Sequence, residues 1–164
     1  RFFLLITSSY FTISILGYDL FHIFENIVYK LTVISLFFFS IQLISSSFVF
    51  NLLRIFETIL FIPTFNDHYA TIIIYTFNTG NYDSFRNCGF TWEPGPFGAF
   101  LSIAIFISLI KSKFAFTKRF FVFTIALITT LSTTAYLAFS VILLWRFYNL
   151  KNKKIVLKYT IAQY

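Results

Sequence analysis

Two ionisable residues stand out by their setting. Arg86 and Glu93 lie in the polar run Arg86-Asn87-Cys88-Gly89-Phe90-Thr91-Trp92-Glu93-Pro94-Gly95, which leads straight into a long apolar stretch. Arginine stays charged at any relevant pH, and its planar fork can hold two phosphate oxygens through parallel N–H bonds. A neighbouring carboxylate can orient that fork or accept a proton from a hydroxyl. Pro94 is suited to the first turn of a helix, whose free N–H groups add partial positive charge for an anion. Gly89 and the turn-capable residues around it let the chain fold back and bring Arg86 and Glu93 together. In that arrangement Glu93 is expected to orient Arg86, because a carboxylate paired with arginine is a weak base.

The same residues also fit a plainer arrangement, an interfacial Arg–Glu pair that holds a loop against a membrane. Phe90 and Trp92 suit either interface anchoring or a platform for stacking a sugar. Tyr69, Tyr75 and Tyr82 could face a sugar, although tyrosine at an interface needs no such reason. Ser132-Thr133-Thr134 reads as a helix-end turn, since no base lies within local reach to make a nucleophile. Cys88, the only cysteine, reads as a small loop residue. A phosphate-binding glycine loop, a Cys/His metal spacing and a Ser-His-Asp set are all missing from the sequence. Nucleotide-driven chemistry therefore has no support.

Composition sets the stage for these residues. The chain has 164 residues, of which 58% are hydrophobic and 12% charged. The charged share is about half that of a globular domain, roughly 25%. With a mean hydropathy of +0.80, the expected class is an all-α, polytopic transmembrane bundle. Methionine is absent even from position 1, and Arg1 opens inside an apolar stretch. The chain therefore reads as an internal fragment, a single membrane domain over residues 1–164.

About five spans are expected, at residues 2–17, 27–50, 94–110, 116–131 and 134–148. A short link at 18–26 carries Asp19, His22 and Glu25. Ser35, Ser40 and Ser45–Ser47 inside the second span can return their hydroxyls to helix carbonyls. Residues 51–93 form an external loop. Within it Leu52, Leu53, Phe56, Ile59 and Leu60 recur at helical spacing, which predicts an amphipathic helix ended by Pro63. Residues 70–77 are apolar but too few to span as a helix. Gly95, Gly98, Ala99 and Ser102 predict a close-packing side on the third span.

Charge settles the last two spans. Residues 120–147 as one helix would run about 42 Å, too long for a hydrocarbon core of about 30 Å. Lys111, Lys113, Lys118 and Arg119 precede this stretch, and Lys151, Lys153, Lys154 and Lys158 follow it. Both clusters belong on the cytoplasmic side, which requires two short crossings joined near Ser132–Thr134. The loop 51–93 then lies outside. The net charge of +7 is mostly a topology signal, and nucleic acid is not an expected partner.

The order of three short patterns resembles the O-antigen polymerase/ligase-like family of bacterial polysaccharide assembly, most closely its repeat-unit polymerases. They are Arg86-Asn-Cys-Gly89, Glu93-Pro94-Gly95, and Thr130-Leu-Ser-Thr-Thr134. The resemblance covers roughly residues 85–139. It implies an all-helical protein of the bacterial cytoplasmic (inner) membrane. It further implies glycosyl transfer from an undecaprenyl-diphosphate-linked glycan donor to a sugar hydroxyl on an acceptor, with no nucleotide sugar, metal or other cofactor. On this reading Arg86 and Glu93 are the candidate catalytic residues. Arg86, Gly89, Trp92, Pro94 and Gly95 are the candidate substrate-binding residues. The lipid bilayer, the lipid-linked donor and the acceptor are the partners, and the resemblance admits a chain-length regulator beside them. Ligases of the family commonly carry Ser-Arg-Gly at the hairpin where this chain has Ser132-Thr-Thr134. The family's second large external loop would have to lie beyond residue 164, so the chain alone is expected to be inactive. A lipid-linked oligosaccharide flippase or transporter is the alternative, although its charges should line the spans rather than sit at their ends.

Overall fold

The computed structural model describes residues 14–17, 19–45, 47–48, 51, 55, 69–72, 74–78 and 86–161. It is mostly helical. In chain order come helix α1 (Asp19–Ile44), strands β1 (Tyr69–Ile72) and β2 (Tyr75–Asn78), then helices α2 (Pro94–Lys111), α3 (Lys118–Thr129) and α4 (Thr133–Ile161). The expected span at 2–17, apart from its last residues, and the expected amphipathic helix at 52–60, apart from Ile55, lie outside the described residues.

Helices α1 and α2 are each long and apolar enough to cross a membrane. α1 begins at Asp19 rather than Ile27, so the expected link at 18–26 is instead its first two turns. An acidic residue suits that position, where Asp19 faces the positive end of the helix. The expected span to residue 50 also ends earlier, at Ile44.

The buried positions of α1 are Glu25, Val28, Thr32, Ser35, Phe39 and Gln42. They alternate three and four residues apart, as on the seam of a coiled coil, yet most are polar. Phe21, Ile23, Ile27, Val33, Phe37 and Leu43 lie on the exposed side. In water this arrangement would be inside out.

The helices run alternately up and down, which gives the bundle two ends. At one end, where α1 starts, Glu25 is buried and pairs with Lys111 at the end of α2 and with Arg119 at the start of α3, the latter at 3.3 Å. Arg146 of α4 reaches the same end, donating from Nε to the Phe114 carbonyl at 3.0 Å and stacking over the Phe116 ring. α4 therefore returns to the level of Lys111 and Lys118 before Lys151. The stretch after Phe116 thus holds two antiparallel helices, Lys118–Thr129 and Thr133–Ile161, rather than one.

α3 is shorter than the expected 116–131. Its 12 residues span about 18 Å at 1.5 Å each. The chain turns at Thr130–Ser132, with Leu131 in the left-handed region at φ 48, and α4 starts at Thr133. The 29 residues of α4 run well beyond the expected 134–148.

The core lies between α2, α3 and α4. Phe97, Leu101, Ala104, Ile105 and Leu109 meet Phe120, Phe123, Ala126, Leu127 and Ala135. The expected small-residue side of α2 is present in part. A Cβ on Gly98 would overlap the Cβ of Ala135, and Ser102 is buried with its hydroxyl on the Gly98 carbonyl at 2.8 Å. Ala99 faces outward and Gly95 has open space beside it.

Residues 69–78 depart from an all-helical reading. They form an antiparallel hairpin in which Tyr69 pairs with Asn78 and Ile72 with Tyr75. Thr71, Ile72, Tyr75, Thr76 and Phe77 in these strands are β-branched or aromatic, which favours the extended backbone. Tyr75 anchors the hairpin to α1. Its ring is fully buried and stacks on Phe38, and its hydroxyl donates to Gln42 Oε1 at 3.1 Å. That burial pushes the phenol pKa up, and the nearby Cys88 adds to the shift.

Candidate functional site

At the other end of the bundle the short α3 stops below its neighbours, and residues 86–93 fill the space above it. Arg86 Nε donates to the Thr130 carbonyl at 3.2 Å, and its Nη2 donates to the Leu131 carbonyl at 2.9 Å. These are carbonyls that a helix end leaves without internal partners. Thr130 Oγ1 lies beside Gly98, four residues into α2. Arg86 is thus anchored about 6 Å along α2 from its N-terminal end, reckoned at 1.5 Å per residue.

Buried irregular backbone must satisfy its own polar groups, and Asn87 does most of this. Its side chain is fully buried. Asn87 Oδ1 accepts from Ser35 Oγ at 2.7 Å and from the Gly89 N–H at 3.0 Å. Asn87 Nδ2 donates to Thr129 Oγ1 at 3.0 Å, and the Asn87 N–H donates to the Thr129 carbonyl at 2.9 Å. One residue therefore ties α1, the segment and the end of α3. Ser35 was expected to bond back to its own helix. It bonds across to Asn87 instead, whereas Ser40 does turn back, to the Leu36 carbonyl.

The rest of the segment is equally accounted for. The Gly89 carbonyl accepts from the Thr76 N–H of β2 at 2.7 Å. Gly89 has φ +57, and a Cβ there would stand 2.5 Å from the Phe97 ring. Glycine is therefore required twice, by backbone and by space. The Cys88 carbonyl accepts from the Thr91 N–H at 3.1 Å, and the Thr91 hydroxyl lies between the Cys88 and Glu93 carbonyls. Cys88 is itself buried. Burial pushes its thiol up to about 12, with Arg86 opposing the shift and Glu93 adding to it.

The candidate residues separate into two groups. Arg86 is half-buried and engaged with the α3–α4 turn, while Gly89 and Pro94 are buried. Trp92 is 67% exposed and Glu93 is exposed. Phe90 packs against Phe97 and Phe100, so it belongs to the core rather than to a surface platform. Gly95 is half-buried.

The expected Arg86–Glu93 pair is not formed. The ion pairs among the described residues are those of Glu25. Glu93 is the N-cap residue of α2, but its carboxylate makes no capping bond. Pro94 directs it outward, and Arg86 turns inward to the carbonyls. Arg86 thus needs no carboxylate to orient it, since two carbonyls already do so. Two of its five guanidinium N–H groups are occupied this way, and the others have no partner among the described residues.

The geometry brings together three patterns that are separate in sequence. Arg86–Gly89, Glu93–Gly95 and Thr130–Thr134 meet at one end of the bundle, with Ser132 Oγ and Thr134 Oγ1 2.9 Å apart beside the turn. Chemically, this end offers part of a fixed guanidinium, an exposed carboxylate, an exposed indole and the N-terminus of α2. Sequence reasoning missed Asn87 as the centre of the arrangement. Among the described residues no group of three or more His, Cys, Asp or Glu side chains could hold a metal. No family model, curated protein or solved structure matches this chain.

Proposed function

We propose that this chain belongs to a multi-pass protein of the bacterial cytoplasmic membrane, with about five spans. We further propose that the protein transfers glycans from an undecaprenyl-diphosphate carrier to a sugar acceptor at its outer face. The inside-out distribution on α1 supports the membrane setting: a polar seam turned inward and aromatic and aliphatic side chains outward suit lipid as solvent. All the described ion pairs sit at the Glu25 end. With Lys111, Lys113, Lys118 and Arg119 there, that end is assigned to the cytoplasm, and the Arg86 end to the outside.

The observation that carries the catalytic reading is the meeting of the three resembling patterns around Arg86. A lipid pyrophosphate leaving group arrives at membrane depth, where the N–H groups of Arg86 that have no partner among the described residues, and the start of α2, would stabilise its charge. Arg86 contributes a fixed donor because the α3–α4 turn holds its other edge. Glu93 is then free to accept the proton of the attacking hydroxyl. This replaces the orienting role expected for Glu93, since its carboxylate faces outward without a partner among the described residues. Trp92 offers an exposed ring for a sugar.

The test is made in the full-length protein in cells that depend on it for polymer. Glu93→Gln removes the proton acceptor and disturbs no described side-chain contact. It should abolish the polysaccharide ladder at equal membrane abundance, as should Glu93→Ala. A normal ladder from Glu93→Gln would remove Glu93 from the chemistry.

A further inference from the structure

The Glu25 end carries a charge imbalance that its ion pairs do not resolve. A cleft of about 380 Å³ opens there between α1, α2 and α3, lined by His22, Glu25, Lys111, Lys118 and Arg119 among others. Among its described lining residues the only acid is Glu25, which is buried beneath Lys111 and Arg119; their side chains are 39% and 37% exposed. His22 Nδ1 lies 2.7 Å from Lys111 Nζ. Two lysines and an arginine thus line the cleft against one carboxylate.

The positions of two of these cations go against local preference. Lys118 and Arg119 sit in the first turn of α3, where the helix is already positive and acidic residues are favoured. Arg119 is occupied by Glu25 and by the Tyr29 ring. Lys118 is exposed and forms no ion pair among the described residues. Lys118 therefore breaks the local preference without a described internal partner, and such a position suits a counter-charge from outside the chain.

We propose that this cleft binds the phosphate of an anionic phospholipid headgroup in the cytoplasmic leaflet. A phosphate oxygen is the natural complement to clustered Lys and Arg side chains. Basic pockets between membrane helices on this side are suited to anionic headgroups. The surroundings favour a lipid over a free ion. Ile110, Phe116 and Phe121, exposed by 50%, 45% and 54%, flank the cationic residues in the sequence and offer apolar surface for acyl chains. The proposal rests on the membrane setting given above and is independent of glycosyl transfer.

The experiment uses the purified full-length protein in neutral detergent and follows its binding of short-chain phosphatidylglycerol, short-chain phosphatidylcholine and inorganic phosphate. Phosphatidylglycerol should bind most tightly. Lys118→Gln should weaken it about 5-fold and Lys118→Glu about 30-fold, taking about 1 kcal/mol per surface charge. Neither should lower the melting temperature, since Lys118→Glu places an acid where the α3 dipole favours one. Phosphatidylcholine binding should change little. Equal binding of phosphatidylglycerol and phosphatidylcholine, or an unchanged preference in Lys118→Glu, would overturn the site. Inorganic phosphate binding as tightly as phosphatidylglycerol would overturn the lipid as its source. Loss of polymer synthesis has no bearing on these outcomes, so the two readings fail separately.

Discussion

Replacing Asn87 by leucine should release residues 86–89 from the bundle, and the size of the effect can be worked from its bonds. The substitution keeps the approximate volume and removes every side-chain hydrogen bond. Ser35 can turn its hydroxyl to a carbonyl of its own helix, as Ser40 already does. Thr129 Oγ1 keeps its bond to the Ala126 carbonyl at 2.7 Å. The Gly89 N–H, however, is buried and loses its acceptor. An orphaned buried donor costs about 1–3 kcal/mol, and each lost bond adds up to about 1, so the total should be about 2–4 kcal/mol. Cys88 reports the result directly. It is buried, and its thiol is pushed up to about 12, so at pH 8 alkylation must pass through an opened state. At 1.36 kcal/mol per decade, the labelling rate should rise by at least about 30-fold in Asn87→Leu. Asn87→Asp should label fast at pH 8, where the carboxylate would be buried and could not donate to Thr129. It should recover protection as the pH falls and the acid regains a proton. Labelling of Asn87→Leu within twofold of the wild type would refute the claim that Asn87 holds the segment.

Three further outcomes follow from other parts of the fold. Gly98→Ala should lower the melting temperature in detergent, at a cost of about 1–3 kcal/mol for overpacking; Ala135→Gly in the same chain should restore most of the loss if the Cβ overlap is the cause. Because the Cys88 thiol is raised from 9.0 to about 12, the unfolded chain loses this proton first; the thiol's contribution to stability is complete below pH 9 and should fall by about 1.4 kcal/mol per pH unit up to about 12, so Cys88→Ser should flatten the difference in stability between pH 8 and 10. Reporter fusions after Lys113 and after Lys153 should report the same, cytoplasmic side, and opposite sides would reject the antiparallel arrangement of α3 and α4 in the membrane.

What could be read in advance followed from local rules. Pro94 marks the start of α2 because proline fits a helix's first turn, and the two lysine-rich clusters require a reversal near Ser132. The start of α1 was hidden because Asp19, His22 and Glu25 look like a polar link. The burial of Glu25 in that helix depends on Lys111 and Arg119, 86 and 94 residues further along the chain. The hairpin at 69–78 carried a local signal in its run of β-branched and aromatic residues, which a helical frame overlooks. Asn87 carried none: a lone asparagine in a polar run becomes a hub only when Ser35 and Thr129 are brought to it. The supposed Arg86–Glu93 pair shows the limit of charge pairing by proximity. Two carbonyls at the end of α3 hold Arg86, whereas Pro94 turns the Glu93 carboxylate outward.

The most direct measurement is glycan transfer by the purified full-length protein in liposomes, from an undecaprenyl-diphosphate-linked repeat unit to an acceptor. Cys88 protection should be recorded on the same samples. The account predicts chain extension by the wild type without nucleotide sugar or added metal. It predicts loss of extension in Glu93→Gln with Cys88 still protected, and loss in Arg86→Ala together with faster Cys88 labelling. Undiminished transfer by Glu93→Gln, or no transfer by a wild type whose Cys88 is protected, would contradict it.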